Sequence, residues 1–180
     1  CDNLSQVNLP LAWDDLMSNW NSSPFTNCPK LTKIVIPEGV SYIPPYAFSN
    51  TYLQEVILPE SLETIDSYAF SNTSLTTITL PSSLEVIEDG VFSYSSLTTI
   101  TLPDSIKEVK DNTFEGCHIL KDITLPEGLE VISSYAFADC DNLVSIHIPD
   151  TVSSIGGDSF KGCDNLSQVN LPLAWDDLMS

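Results

Sequence analysis

The chain has 180 residues, 25 of them acidic and 6 basic, for a formal net charge of −19. All six basic residues are lysines, so there is no basic stripe to neutralise phosphates; this excludes general nucleic-acid binding and disfavours docking on an anionic membrane. A hydrophobic fraction of 42% is too high for a disordered acidic tail, and no run approaches the roughly 18–20 apolar residues of a membrane span.

The length suits one domain with a core of its own. With no initiator Met and no signal peptide, the sequence is expected to be a mature or excised segment. Read from the start, a leucine opens the pattern L-x-x-[IV]-x-[LI]-P at Leu4, and again at Leu31, Leu53, Leu75, Leu97, Leu120, Leu143 and Leu166. The first spacing is 27 residues and the rest are 22 or 23. A fixed period of this size is the mark of a repeat architecture.

The first unit is atypical. After Leu9-Pro10, Trp13 stands where later units carry an inward Leu or Val, and Leu16 stands in the Ile place. Four extra residues precede Phe25. The insertion predicts a bulge, and Trp20 on it is either plain loop or a contact hot spot for a partner or a lateral neighbour.

The following units run L-x-x-[IV]-x-[LI]-P-x-x-[LVI]-x-x-[IV]-x-x-x-x-F, as in Leu75, Ile78, Leu80, Pro81, Leu84, Ile87 and Phe92. The last two apolar residues of the leucine segment lie two apart, as on one face of a strand. Proline (Pro37, Pro59, Pro81, Pro103, Pro126, Pro149) cannot donate to a ladder and ends each strand at a corner. The next apolar pair, such as Leu62 and Ile65, points inward from a second extended or turn-like segment. The Phe fills the far side of the coil. Three residues later stands a small side chain: Cys28, Thr51, Thr73, Ser95, Cys117, Cys140 or Cys163. One coil cannot bury so many apolar positions, but stacked coils can.

The residues flanking each [IV] point out of the sheet. They are Gln6/Asn8, Lys33/Val35, Glu55/Ile57, Thr77/Thr79, Thr99/Thr101, Asp122/Thr124, Ser145/His147 and Gln168/Asn170. This Thr-rich face, free of aromatics, is the candidate partner or packing surface, although Thr also simply suits an exposed strand. The acids concentrate in the corners and the second segment, as in Glu60/Glu63/Asp66 and Glu85/Glu88/Asp89, where stacking brings like charges close. Calcium could relieve that repulsion, but no EF-hand or Gly-Asp calcium array occurs, so no metal site is assigned.

The cysteines share one repeat position where Thr or Ser also stands, which predicts small buried free thiols, and no CxxC suggests zinc. His118 adjoins Cys117, but neighbouring residues of an extended chain point different ways, so a Cys–His nucleophile is not expected. No phosphate-binding loop occurs and no cleft is implied; the protein is read as a non-enzyme without cofactor. N-x-[ST] sequons stand at Asn3, Asn21, Asn72 and Asn165.

Residues 1–18 recur identically at 163–180, an offset of 162. The chain therefore reads as a single solenoid segment: one seven-coil module over 1–162, then the start of an identical next copy. The expectation is a parent with tandem modules.

The LP turn, the L-x-x-I that follows it and the A-F-x-x-C ending, complete in Ala136-Phe137-Ala138-Asp139-Cys140, resemble the BspA-like subclass of leucine-rich repeats, found in bacterial and protist surface proteins. The expected fold is a right-handed leucine-rich repeat solenoid of 22–23-residue coils, mainly β, with a continuous parallel sheet and little helix. The resemblance implies an extracellular or cell-surface scaffold for adhesion or protein interaction, whose partner is an unidentified protein or glycan. The tandem identity and the absence of evident caps suggest the alternative: a structural fibre or stalk polymerising end to end through copies of itself.

Overall fold

The computed structural model describes Leu9 and residues 23–172. Each coil runs through an extended segment, a strand in all but one, then a proline corner, a second short strand and a compact turn around its Phe. The first strands are β1 (Lys33–Val35), β3 (Glu55–Ile57), β6 (Thr99–Thr101), β8 (Asp122–Thr124), β10 (Ser145–His147) and β12 (Gln168–Asn170). The second are β2 (Tyr42–Ile43), β4 (Thr64–Ile65), β5 (Val86–Ile87), β7 (Glu108–Val109), β9 (Val131–Ile132) and β11 (Ser154–Ile155). All pairings are parallel, and no helix occurs among the described residues.

The proline corners form as expected. In each, the backbone N–H three residues on donates to the proline carbonyl, from Val40 to Pro37 through Val152 to Pro149. Hydroxyls then tie corner to corner: Ser61 donates to the carbonyl of Val40 at 2.9 Å and Ser83 to that of Leu62 at 2.7 Å.

The second segment forms a ladder of its own, where the sequence pattern implied only one strand per coil. The continuous sheet is also resolved into pieces. In hydrogen-bonding terms β1 pairs β3, β6 pairs β8 and β10 pairs β12, while residues 77–79 form no strand. The second ladder divides elsewhere, into β2-β4-β5 and β7-β9-β11.

The Phe turn is the ladder that runs unbroken. Phe48 N donates to Ala69 O, Phe70 N to Val91 O, Phe92 N to Thr113 O, Phe114 N to Ala136 O and Phe137 N to Ser159 O, all at 2.8–3.0 Å. Residues two before and two after each of these Phe also donate to the next coil. Both flanking positions adopt the left-handed conformation, as at Tyr46 and Asn50 (φ 57° and 55°), Gly90 and Tyr94 (63° and 56°), and Asn112 and Gly116 (56° and 68°). Asn, Asp and Gly tolerate that region best. It turns successive N–H groups toward the next coil.

Inside, the rings of Phe25, Phe48, Phe70, Phe92, Phe114, Phe137 and Phe160 stack in one column, with centroids 5.3–6.0 Å apart and planes within 15°. The five central rings are wholly buried. Leu31, Leu53, Leu75, Leu97, Leu120 and Leu143 complete the core from the strand side. Among the described residues, no buried side-chain nitrogen or oxygen lacks a hydrogen-bond partner.

At the second corner the acids stack as expected. Asp89 is pushed above the usual carboxylate range by partial burial first, then by the neighbouring charges of Asp111 and Glu88; Lys110 partly offsets this. Lys110 Nζ lies 2.5 Å from Glu88 Oε2. A carboxyl that binds its proton more readily in the folded chain opposes folding while it is charged. Stability is therefore regained as pH falls through its folded value, and the penalty is gone below the unfolded one. We expect Asp89→Asn to be the more stable protein at neutral pH, and to match the parent once the pH drops below about 4. Urea midpoints at both pH values check this; an advantage independent of pH would show that charge is not its cause.

Candidate interaction face and buried thiol column

The pleat sets out the predicted face as the spacing implied. In β1, β3, β6, β8 and β10 the flanking residues are exposed around a buried centre. Lys33, Val35, Glu55, Ile57, Thr99, Thr101, Asp122, Thr124, Ser145 and His147 thus share one surface. Thr77 and Thr79 lie outward around Ile78 on the same face without joining a ladder. In β12 all three residues are exposed.

Register places Lys33 beside Glu55 and Val35 beside Ile57. The first is an ion pair at 2.6 Å, half exposed on both sides and worth little in water. The second is an apolar pair left 50% and 44% exposed, in a chain otherwise rich in surface acids. Further along, Thr99 faces Asp122 and Thr101 faces Thr124. His147 Nε2 stands 4.0 Å from Glu127 Oε1.

Where the sheet opens, two grooves flank residues 77–79. One of about 340 Å³ lies toward β3, between Ile57, Glu60, Thr77 and Thr79. The other, about 430 Å³, lies toward β6, between Thr77, Thr79, Thr99 and Thr101. Sequence reasoning placed the face but not these openings. It also missed an uncharged groove of about 570 Å³ along the turns, lined by Asn50, Tyr52, Asn72 and Tyr94. The signal available for that groove was the Asn, Gly or Asp standing two residues from a Phe, as at Asn50 and Asn72.

Trp20, Asn3 and Asn21 lie outside the described residues. Asn72 is exposed, and its Nδ2 donates to Asn50 Oδ1 at 2.8 Å. The hydroxyl of its sequon partner Thr73 is buried and bonded to the carbonyl of Phe70. Asn165 Nδ2 donates to the carbonyl of Asp141 at 2.6 Å.

The small-residue position forms a buried column beside the Phe stack. Thr51 and Thr73 donate to the carbonyls of Phe48 and Phe70. Cys117, Cys140 and Cys163 donate to those of Phe92, Phe114 and Phe137 in the preceding coil, at 3.1, 3.2 and 3.0 Å. These three are free thiols, as the pattern predicted. Cys28 departs from it: it is disulfide-bonded.

Cys117 is fully buried and its thiol is pushed up to about 11 by that burial, whereas the side chain of His118 is mostly exposed and its Nδ1 lies 2.9 Å from Asp141 Oδ2. The two neighbours face opposite sides of the chain and make no nucleophile–base pair. Among the described residues no group of three or more His, Cys, Asp or Glu is placed to hold a metal, and no helix is long and apolar enough to cross a membrane.

No protein of curated function matches the chain. Among solved structures it is similar to the leucine-rich repeat protein of T. pallidum, at 32% identity and a TM-score of 0.71, over 81% of this chain and 70% of that one. It is also similar to a leucine-rich repeat protein from Bacteroides ovatus, at 30% identity and a TM-score of 0.65, covering 84% of this chain but 45% of that one. The model of the BspA type leucine-rich repeat region matches residues 1–98 and 85–178, in six copies. Together with the stacked coils, proline corners and Phe column, this shows that the chain belongs to the BspA-type leucine-rich repeat family.

Proposed function

We propose that the protein is a non-catalytic scaffold at the cell surface that docks a protein partner on its sheet face, over Val35, Ile57 and the grooves beside Thr77 and Thr79. Leucine-rich repeat solenoids commonly serve as protein-interaction scaffolds, and the fold presents a long, regular surface for that use. The observation that carries the reading is the exposed Val35–Ile57 pair, with Ile57 lining the first of the two grooves that flank residues 77–79. Exposed apolar groups rimmed by polar ones are typical of interaction sites. A surface location is supported by the family and by the disulfide at Cys28, since disulfides persist in oxidising compartments. The alternative, end-to-end assembly, turns on the identical segments 1–18 and 163–180, most of which lie outside the described residues.

The test is binding of the 180-residue chain to an array of purified extracellular-matrix and serum proteins. A partner on this face should lose at least about tenfold in affinity to the double variant Val35→Asp/Ile57→Asp, a cost of roughly 1.4 kcal/mol or more. Ile119→Asp, off the face, should leave it unchanged. Equal loss in both variants, or none in either, would rule the face out.

A further inference from the structure

We propose that the groove along the Phe turns is a binding site for a neutral oligosaccharide, which lies across the rings of Tyr52 and Tyr94 and is held by the amides of Asn50 and Asn72. The site shares no residue with the sheet-face grooves and does not rest on the docking reading. Its volume, about 570 Å³, is that of a small-ligand site. In a chain of formal charge −19, no charged residue lines it, whereas Glu55 and Glu60 line the first sheet-face groove. A phosphate, uronate or sialylated ligand would find no cation there and would meet the repulsion of the whole chain. A neutral polyhydroxy compound needs no counter-charge.

Side chains supply the polar contacts. Asn50, Asn72 and Tyr94 hold the same place on three successive coils, two residues after the Phe. Asn72 Nδ2 donates to Asn50 Oδ1 at 2.8 Å, which fixes the two amides against each other. That bond leaves Asn50 both of its N–H groups and Asn72 its oxygen. Donors and an acceptor thus stand side by side, the pattern that adjacent sugar hydroxyls can answer. The backbone N–H groups of Asn50, Asn72 and Tyr94 are already bonded to the carbonyls of Ser71, Ser93 and Glu115 on the next coils. A peptide seeking to add itself as a strand would find no donor at these positions.

The rings supply the apolar contacts. Tyr52 and Tyr94 are both 51% exposed. Tyr94 is held in place: its hydroxyl donates to Glu115 Oε1 at 3.0 Å, and its ring lies on Gly116, where a Cβ would stand 2.4 Å from the ring carbons. A ring fixed on one side and open on the other is a preorganised platform. The C–H-bearing face of a sugar ring is apolar and packs on the electron-rich face of such a ring. Beyond Tyr94 a second groove of about 300 Å³ runs over Gly116 and His118, and it shares Asn72, Tyr94 and Ser96 with the first. The trough therefore follows the stacking direction of the coils and suits a linear chain of sugars better than a single one.

Calorimetric titration of the unglycosylated 180-residue chain tests this, with neutral gluco-, manno-, xylo- and chito-oligosaccharides as probes and oligogalacturonate and sialyllactose beside them. We expect a neutral probe to bind, and Tyr52→Ala and Tyr94→Ala each to weaken it at least about fivefold, while Tyr52→Phe, which keeps the ring, stays within about twofold of the parent. Asn50→Asp keeps the acceptor for Asn72 and a residue type that tolerates the left-handed turn, but removes the N–H donors. It should weaken binding likewise at an unchanged urea midpoint, which separates lost contact from lost fold. Val35→Asp/Ile57→Asp, on the sheet face, should bind the sugar as the parent does. Binding of acidic probes only, of none, or of a neutral probe that survives both Tyr52→Ala and Asn50→Asp would overturn the proposal. So would a protein partner lost in these variants with no sugar bound, which would make the trough a peptide site.

Discussion

Truncating Phe92 to Ala should destabilise the solenoid by about 3–5 kcal/mol, the usual cost of removing a wholly buried ring. The ring lies between Phe70 at 6.0 Å and Phe114 at 5.6 Å, so its loss leaves a void bounded by two rings that cannot close in. Their spacing is held by backbone bonds on both sides, Phe70 N to Val91 O and Phe92 N to Thr113 O. In a linear array each coil touches only its neighbours, so the defect falls in mid-column, where two coil interfaces share it. Phe25→Ala, at a ring that is only partly buried, should cost clearly less. Denaturant unfolding of the two variants separates them. A Phe92→Ala penalty under about 1 kcal/mol would mean the column is not the core this packing implies.

Gly90→Ala should cost about 1–2 kcal/mol from backbone alone, because Gly90 sits at φ 63° in the left-handed region that a Cβ disfavours. Space adds to this. A Cβ there would stand 2.2 Å from the ring of Tyr68, which lies over Gly90 on the neighbouring coil. Tyr68 is itself stacked on Tyr46 at 5.3 Å, so displacing its ring also breaks that contact. The double variant Gly90→Ala/Tyr68→Ala should therefore be more stable than the sum of the two single losses predicts. Strict additivity in this cycle would show that the clash is absent and that only the backbone matters.

Tyr46 and Tyr68 occupy the same left-handed position as Gly90, which shows why this part of the fold was hard to read in advance. A tyrosine there gives no turn signal by type. The Asn, Gly and Asp at corresponding places do, but only once the Phe is known to sit at the centre of a tight turn. The strand face was legible because its information is local: a two-residue alternation and a proline stop place Lys33, Val35, Glu55 and Ile57 outward whatever the neighbouring coil does. The thiol column was half legible. Its small size and common register showed in the spacing, but nothing in the repeat pattern told the disulfide-bonded Cys28 from the free Cys117, Cys140 and Cys163.

The clearest boundary runs between two identical stretches. Leu75–Pro81 and Leu97–Pro103 both read LTTITLP, yet residues 99–101 form β6 against β8 while 77–79 pair with neither side. The period, the inward leucines, the proline corners and the Phe column follow from the sequence alone, because each is a local pattern repeated until the coils have to stack to bury it. Which coils join edge to edge, where the sheet opens into grooves, and which sulfurs come within reach were decided only by the tertiary structure. A ladder bond belongs to two coils at once: it forms only where the corners and turns on either side bring both backbones to bonding distance, and identical residues cannot impose that from one side.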